Sequence, residues 1–211
     1  MRIIIYSDVH GNLPAFEKML KTAGECDGYI CLGDLVNYGP WGNECVDLAV
    51  SLSNSIIIMG NHEEAFLNGF YPGNNLIVQD FFTITYSRFN RRESIRSFVE
   101  SYYLDQFVCR HTVGNSYVYP DTQMILDNNY IIGHSHHQFK YVNSTFVLYN
   151  AGSVGQNRKY INEINYLIYD TDIKSIEMKS ILYNVDLVIN EMKNLGYPQN
   201  CLNYYLNKKI K

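Results

Sequence analysis

Five short apolar runs, each followed at once by polar residues of the kinds that bind metals or move protons, most constrain the fold of this chain. Each run holds four or five residues such as Ile, Val, Tyr or Cys between turn residues. This is typical of a buried strand, although periodicity alone does not exclude a short helix. Sites in open α/β sheets lie outside the carboxyl ends of the strands, so the polar residues are predicted to meet there. They are Asp8, His10, Asp34, Asn61, His62, His111, His134 and His136.

Helices are predicted between and after these runs. Asn12 is placed to cap a helix over residues 13–23, and Asn43 to cap one over residues 44–52, so strands and helices alternate as in an α/β protein. Residues 63–105 favour helices, and we interpret their aromatic residues as packing rather than as a base-stacking platform. The later half predicts antiparallel strands and a last helix around residues 184–196, which Gly196 and Pro198 terminate.

Length and composition limit the possible partners. The 211 residues predict a single domain over 1–211, with a helical insertion around 63–105. A net charge of −4 without a Lys/Arg-rich run disfavours duplex nucleic acid. The apolar N-terminal run is too short for a signal peptide or a membrane span, so no membrane association is expected. Five scattered cysteines without a C-x-x-C pair predict reduced thiols in a cytoplasmic protein, and the oligomeric state stays open.

The histidine count points to metal binding, because five of the six histidines are among the strand-end residues. Imidazole and carboxylate ligands suit manganese, iron, nickel or zinc, and ligand type alone does not select one. Seven ligands are too many for one tetrahedral ion but suit two ions about 3.5–4 Å apart that share a carboxylate. His134 and His136, two residues apart in a strand-like stretch, are predicted to face the same metal pair. A structural zinc site is disfavoured, because such sites usually draw on clustered cysteines.

The order of the motifs resembles that of the calcineurin-like metallophosphoesterases. The motifs are D-x-H at 8–10, G-D at 33–34, G-N-H-E at 60–63, the lone His111 and G-H-S-H at 133–136. The segments GDLVNYGPWGNECVDL and NAGSVGQNR are similar to those of the small bacterial and archaeal branch of that superfamily. Proteins of that branch are described as diadenosine tetraphosphatase-like or as general phosphodiesterases. The resemblance spans most of residues 1–170.

This resemblance implies two facing mixed β-sheets flanked by helices, a four-layer αββα sandwich. It also implies two divalent transition-metal ions, with manganese favoured, and a hydroxide between them as the nucleophile. His62 is implied as the catalytic, phosphate-facing histidine, which either stabilises charge or protonates the leaving oxygen. The implied ligands are Asp8, His10 and His136 for one ion, Asn61, His111 and His134 for the other, and Asp34 for both.

The chain departs from the family pattern at two places. Thr-Val-Gly at 112–114 follows His111, where relatives usually have Gly-Ser or Gly-Thr. Tyr38 stands where phosphoprotein phosphatases and symmetrical dinucleoside tetraphosphatases carry an arginine, and it offers only a hydroxyl or a stacking face. Arg158 is interpreted mainly as a surface charge, with a substrate-phosphate contact as the alternative. His137 is interpreted as structural or exposed rather than as part of the pocket rim.

The predicted function is a dinuclear-metal phosphoesterase that hydrolyses phosphodiester or nucleoside-polyphosphate bonds of a small-molecule or nucleotide substrate. The missing arginine disfavours a dianionic monoester, whereas Tyr38 and Trp41 suit the second substituent of a diester by stacking. Two alternatives stay open: a phosphomonoesterase or protein phosphatase of the same superfamily, and a non-catalytic metal-binding scaffold. The predicted substrate contacts are Asn61, His62, Tyr38 and Arg158.

Overall fold

The computed structural model describes residues 1–114, 116–143 and 145–211, and within these residues the chain forms ten strands and seven helices. The strands are β1 Arg2–Tyr6, β2 Gly28–Cys31, β3 Ser55–Ile57, β4 Ser101–Leu104, β5 Phe107–Arg110, β6 Asn129–Ile132, β7 Gln138–Val142, β8 Val147–Ala151, β9 Glu163–Asp170 and β10 Ser175–Leu182. The helices are α1 Leu13–Ala23, α2 Gly42–Ser51, α3 Asn61–Asn68, α4 Leu76–Tyr86, α5 Arg92–Ile95, α6 Asp186–Asn194 and α7 Gln199–Leu206.

The strands form two five-stranded sheets that share an apolar core. The first sheet has the order β10-β9-β1-β2-β3, and its strands β1, β2 and β3 are parallel. The second sheet has the order β4-β5-β6-β8-β7, and its strands β5, β6 and β8 are parallel. Antiparallel strands at the edges make both sheets mixed. The predicted fold class, two facing mixed sheets flanked by helices, is confirmed.

Strand β1 lies between two layers of core. Ile3 and Ile5 belong to the apolar cluster between the two sheets, together with Ile131 of β6. Ile4 and Tyr6 belong to the cluster on the opposite face, where the helices pack. Because successive side chains alternate between faces and both faces are buried, β1 is a continuous apolar run rather than an alternating one.

Helices cover the outer face of the first sheet. Each of the seven helices contributes buried residues to this apolar cluster. The outer face of the second sheet instead packs Tyr130 and Leu148 against Val118 and Leu126, which lie in the connection between β5 and β6. No helix within the described ranges is long and apolar enough to cross a membrane.

The two predicted helix caps have different outcomes. The Asn12 side chain accepts a hydrogen bond from a backbone amide of the first turn of α1, at 3.2 Å, as predicted. The predicted Asn43 cap is wrong, because α2 begins at Gly42 and Asn43 lies inside its first turn. The Asn43 side chain donates to the Arg88 carbonyl and accepts from the Asn90 amide, which ties α2 to the chain after α4.

Two segments differ from the predicted secondary structure. Residues 63–105 contain helices, but Ser101–Leu104 near their end form strand β4, which pairs with β5. Three of the four β4 residues are exposed, so the sequence of this strand lacks the apolar pattern of a buried strand. The helix predicted around 184–196 is α6, but it is not the last helix. Pro198, interpreted as a stop, is also the N-cap residue of α7.

Candidate metal centre

The eight polar residues predicted at the strand ends lie together at the edge where the parallel strands of both sheets end. The first sheet supplies five of them after β1, β2 and β3, and the second sheet supplies three after β5 and β6. These residues are Asp8, His10, Asp34, Asn61 and His62 from the first sheet, and His111, His134 and His136 from the second.

Backbone contacts hold the two sheets close at this edge. The Asp8 amide donates to the Gly33 carbonyl at 3.0 Å, which continues the pairing of β1 and β2 past the strand ends. The His134 amide of the second sheet donates to Asp8 Oδ2 of the first sheet at 2.9 Å, across the boundary between the sheets that we call the seam. A Cβ atom at Gly133 would overlap the Ser7 hydroxyl, so this approach requires glycine. The seam therefore brings residues of both sheets into one cluster.

Five of these residues have a left-handed backbone, with φ of +55° at Asp8, +50° at His10, +59° at Asp34, +68° at His134 and +59° at His136. Residues with side chains seldom adopt such angles, and those that do cluster at functional sites. The prediction that His134 and His136 share a face through strand alternation is wrong in its reason, because β6 ends before them. Left-handed turns direct both imidazoles to the cluster instead.

Four side chains form a first candidate metal site. Ligand atoms of Asp8, His10, Asp34 and His136 all lie within 4.8 Å of one another. His136 Nε2 is 3.3 Å from His10 Nε2 and 3.2 Å from Asp8 Oδ1. His10 Nε2 lies 3.7 Å from Asp34 Oδ2.

Backbone carbonyls fix the tautomers of the two histidines in this first site. His10 Nδ1 lies 3.0 Å from the Val36 carbonyl, and His136 Nδ1 lies 2.8 Å from the Gln156 carbonyl. A carbonyl oxygen only accepts, so each Nδ1 carries a hydrogen and each ring directs its Nε2 to the cluster, where a ring without a second proton offers a lone pair. Metal-binding histidines are commonly oriented in this way.

The first site therefore consists of hydrogen-bond acceptors that face one another. Two imidazole Nε2 atoms converge on two carboxylates, and all four side chains are buried. Asp8 Oδ1 has no hydrogen-bond partner among the described residues. Buried acceptors in this arrangement are unfavourable unless a cation lies between them, and nitrogen and oxygen donors together suit a divalent transition metal. The residues fit a metal ion.

Asp34, His111 and His134 form a second candidate site, again with ligand atoms within 4.8 Å of one another. His111 Nε2 is 2.9 Å from His134 Nδ1 and 3.0 Å from Asn61 Oδ1. It lies 3.4 Å from Asp34 Oδ2. His111 Nδ1 lies 2.8 Å from the Leu32 carbonyl, which leaves Nε2 directed to the cluster. Asp34 is common to both sites, as two neighbouring ions that share a carboxylate would require.

Neighbouring charges strongly shift the pKa values of the second site. Burial opposes ionisation of Asp34, but His111 holds the pKa of this carboxyl well below its usual range. Burial also opposes charge on His111, yet the Asp34 carboxylate raises the pKa of His111 to about 10. Burial and the charge of His111 lower the pKa of His134 to about 4. A metal ion competes with the His111 proton for this position, so its binding would release that proton.

His62 lies beside Asp34 but belongs to neither ligand group. Its amide donates to Asp34 Oδ1 at 3.0 Å, and its Nε2 lies 4.0 Å from Asp34 Oδ2. Burial lowers the pKa of His62, so the ring is neutral near pH 7. The Tyr71 ring stacks on His62 with ring centroids 5.7 Å apart. His62 therefore stands at the rim of the cluster.

The two predicted substrate residues outside the strand ends, Tyr38 and Arg158, lie next to the cluster. The Tyr38 ring centroid is 4.8 Å from that of His10, and Tyr38 is only 3% exposed, so it forms a wall of the site rather than an open stacking face. Trp41 packs against the helical core. Arg158 is half-buried and donates to the Tyr204 hydroxyl on α7, so it is not an exposed surface charge.

A cleft of about 480 Å³ opens beside the second candidate site. Asn61, His111 and His134 line it, and Arg110 adds a cation on the same side. The volume suits a small-molecule ligand. His137 is half-buried and lines a separate cavity of about 210 Å³.

Glu63 is a buried residue of the site to which the sequence assigned no role. Its carboxylate accepts hydrogen bonds of 2.7 to 3.2 Å from four backbone amides, so it holds the loop that carries Asp34. Burial raises the pKa of Glu63 to about 7. Its place in G-N-H-E was the signal that could have identified it. The four amides belong to Asp34, Leu35, Val36 and Gly60.

Three tyrosines surround the cluster without any sequence signal, because they lie far apart in the chain. Tyr71 stacks on His62, and Tyr117 stacks on His134 with ring centroids 4.0 Å apart. Tyr204 lies against Tyr38 with ring centroids 5.9 Å apart. The cluster therefore has aromatic walls on several sides.

Comparisons with known proteins identify the class of protein that this fold and cluster define. A metallophosphoesterase from Sphaerobacter thermophilus has a similar structure, with a TM-score of 0.81, 24% sequence identity and 98% of each chain covered. The family model of the calcineurin-like phosphoesterases matches residues 1–189. The chain belongs to the calcineurin-like phosphoesterase family.

Two further comparisons extend this similarity. An uncharacterised protein of Methanocaldococcus jannaschii is 30% identical to this chain, and the match covers 93% of this chain and 94% of that protein. A solved structure described as a novel archaeal phosphodiesterase has a TM-score of 0.51 and 18% identity, with 86% of this chain and all of that chain covered. The family supports a hydrolase that acts on phosphate esters.

Proposed function

We propose that this chain is a dinuclear-metal phosphoesterase that hydrolyses phosphodiester or nucleoside-polyphosphate bonds. The observation that carries the proposal is the pair of ligand clusters that share Asp34 at the seam between the sheets. Two-metal sites of this kind are suited to in-line displacement at phosphorus. The similar fold of an archaeal phosphodiesterase is consistent with the diester class.

The proposed ligands divide between the two sheets. When bound, two divalent ions, manganese being favoured, supply Lewis acidity and lower the pKa of water. The chain's own contribution is to direct the imidazole lone pairs inward through the Val36, Leu32 and Gln156 carbonyls. Asp8, His10 and His136 would hold one ion, Asn61, His111 and His134 the other, and Asp34 both.

His62 is the proposed catalytic residue, because its Nε2 faces the cluster beside Asp34 without belonging to either ligand group. Asn61 and His62 are the proposed contacts to the phosphate. Arg158, which the Tyr204 hydroxyl holds near Tyr38, is the proposed cationic contact in place of the arginine that the loop after Asp34 lacks. A single guanidinium suits the one charge of a diester better than the two charges of a monoester.

A substrate panel tests this function. The manganese-loaded protein is assayed with a bis-aryl phosphodiester, the matched aryl monoester, diadenosine tetraphosphate and cyclic dinucleotides. We expect a higher kcat/KM for the diester or the polyphosphate than for the monoester. A preference for the monoester would overturn the substrate class, and two bound ions without turnover of any substrate would indicate a scaffold.

Five free cysteines favour a reducing, cytoplasmic location.

A further inference from the structure

Asn37 makes a contact that determines how His62 can act. Asn37 lies in the loop after Asp34, is fully buried and has a left-handed backbone with φ of +72°. Its side-chain amide lies 2.9 Å from His62 Nδ1. A buried amide in a constrained backbone, in contact with the proposed catalytic residue, calls for an explanation.

The hydrogen bonds of Asn37 fix the orientation of its amide group. Its Oδ1 lies 2.7 Å from the backbone nitrogen of Tyr38, and a backbone amide can only donate. The Thr85 hydroxyl on α4 lies 3.2 Å from the same oxygen. The atom that faces His62 is therefore Nδ2. An NH₂ group donates and does not accept, so His62 Nδ1 is the acceptor and carries no hydrogen.

A neutral His62 must then carry its hydrogen on Nε2. The metal-site histidines are oriented differently, because His10, His111 and His136 donate from Nδ1 to carbonyls and direct Nε2 to the cluster. His62 Nε2 makes no hydrogen bond within the described residues and lies 4.0 Å from Asp34 Oδ2, too far for a direct one. This N–H is therefore available to an oxygen of a substrate.

We propose that Asn37 is a positioning residue that makes His62 a hydrogen-bond donor to a phosphoryl oxygen, rather than the acid that protonates the leaving group. The inference rests on the proposed phosphoesterase function. Loss of the Nε2 hydrogen from the neutral ring would leave a buried anion beside Asp34, which is costly. A doubly protonated ring would set Nδ1–H against the Asn37 NH₂, donor against donor. Donation of a hydrogen bond avoids both states and stabilises charge as it develops.

Leaving-group dependence separates the two roles of His62. Phosphodiesters with one constant substituent and leaving groups of graded acidity are assayed with the wild type and His62→Ala. We expect His62→Ala to lose roughly 10²–10³-fold in kcat, by the same factor for every leaving group. A loss that grows as the leaving group becomes poorer would identify His62 as an acid and overturn the proposal.

A double-variant cycle tests whether Asn37 acts through His62. Asn37→Ala should lose roughly 10–100-fold in kcat, in the range of lost orienting partners, with both metals retained. The double variant Asn37→Ala/His62→Ala should lose no more than His62→Ala alone. Losses that multiply would show that Asn37 contributes independently of His62. Asn68→Asp, at an exposed position of α3, is the charge-matched control for Asn37→Asp and should leave kcat unchanged.

Nitrogen NMR of ¹⁵N-histidine-labelled protein reads the tautomer without turnover. The His62 signals are assigned by their loss in His62→Ala. In the metal-free wild type, Nε2 should bear hydrogen and Nδ1 should not. In Asn37→Asp, a carboxylate oxygen faces Nδ1 and should move the hydrogen there. If the wild type is active but carries the His62 hydrogen on Nδ1, the role of Asn37 is refuted. If His62 has the expected tautomer but the protein hydrolyses no substrate, the phosphoesterase function is refuted.

Discussion

At the scale of single residues, the loop after β2 depends on one buried carboxylate. Asp34, Asn37 and Tyr38 in this loop all have positive φ, and such conformations in residues with side chains cost of order 1–3 kcal/mol each. Glu63 offsets part of this cost, because its two oxygens accept hydrogen bonds from four backbone amides that no other described group satisfies. Glu63 therefore stabilises the loop conformation that places Asp34 in both metal sites.

Replacing Glu63 should destabilise the fold. Glu63→Ala leaves several buried amides without an acceptor, and we expect the free energy of unfolding to fall by about 3–5 kcal/mol. Urea denaturation of the metal-free protein measures this change. Glu64→Ala is the matched control, because Glu64 is the exposed neighbour on the same helix and should change stability by less than about 0.5 kcal/mol. Equal stabilities of the two variants would contradict the role assigned to Glu63.

Asp34 is the residue whose loss should affect both metals. It is common to the two ligand groups, so Asp34→Asn removes charge from each. We expect the metal content after desalting to fall from about two ions per chain, the number that a two-metal site holds, to below one. Asp8→Asn, which touches only the first group, should retain one ion. Two tightly bound ions in Asp34→Asn, measured by mass spectrometry, would disprove the shared position.

The individual ligands could be predicted, but their supporting residues could not. Asp8 and His134 are recognisable because each follows an apolar run within a short motif. Asn37 acts through His62, 25 residues away in sequence, and Glu63 binds three amides of the loop after β2 that lie 27 to 29 residues away. Their roles depend on loop conformations, and only the place of Glu63 in G-N-H-E offered a local signal. Left-handed turns place the ligands, and sequence periodicity does not predict them.

At the scale of secondary structure elements, α7 shows where local sequence signals fail. Its residues include Asn, Cys and Tyr, which have modest helix propensity, and Pro198 before it is an ordinary helix stop. Tertiary packing decides instead, because Cys201, Leu202 and Tyr205 are buried in the core. Strands β1 and β9 could be predicted from local sequence, because both are buried on two faces and therefore form apolar runs.

The position of α7 gives it a role at the site through Tyr204. Because the Tyr204 hydroxyl accepts from Arg158, Tyr204→Phe should release the guanidinium while retaining the ring. We expect kcat/KM to fall by about 5–10-fold, the value of one hydrogen bond, mainly through KM, with metal content unchanged. Tyr103→Phe, at an exposed position of β4, is the control and should leave both constants unchanged. An unaltered KM in Tyr204→Phe would exclude Arg158 from substrate binding.

At the scale of the whole molecule, the candidate metal centre joins the two sheets, as do hydrogen bonds from Tyr169 to Asp105 and from Gln138 to the Tyr166 carbonyl. Asp8 and Asp34 come from the first sheet, and His111, His134 and His136 come from the second. Each candidate site takes ligands from both sheets, so an ion bound at either site would cross-link them. The apolar cluster between the sheets also holds them together, through the non-directional hydrophobic effect.

Metal removal should therefore lower the thermal stability of the entire fold. An ion that binds only the folded chain stabilises it by about 2.7 kcal/mol at a hundred times its Kd. For a protein of this length, 1 kcal/mol shifts Tm by roughly 2–4 °C, so we expect chelation to lower Tm by about 5–10 °C for each ion lost. Thermal denaturation with EDTA, followed by restoration with manganese, measures this shift. Asp34→Asn should respond to EDTA much less than the wild type, because it has less metal to lose. An identical Tm of the wild type with and without bound metal would show that the ions do not bridge the sheets.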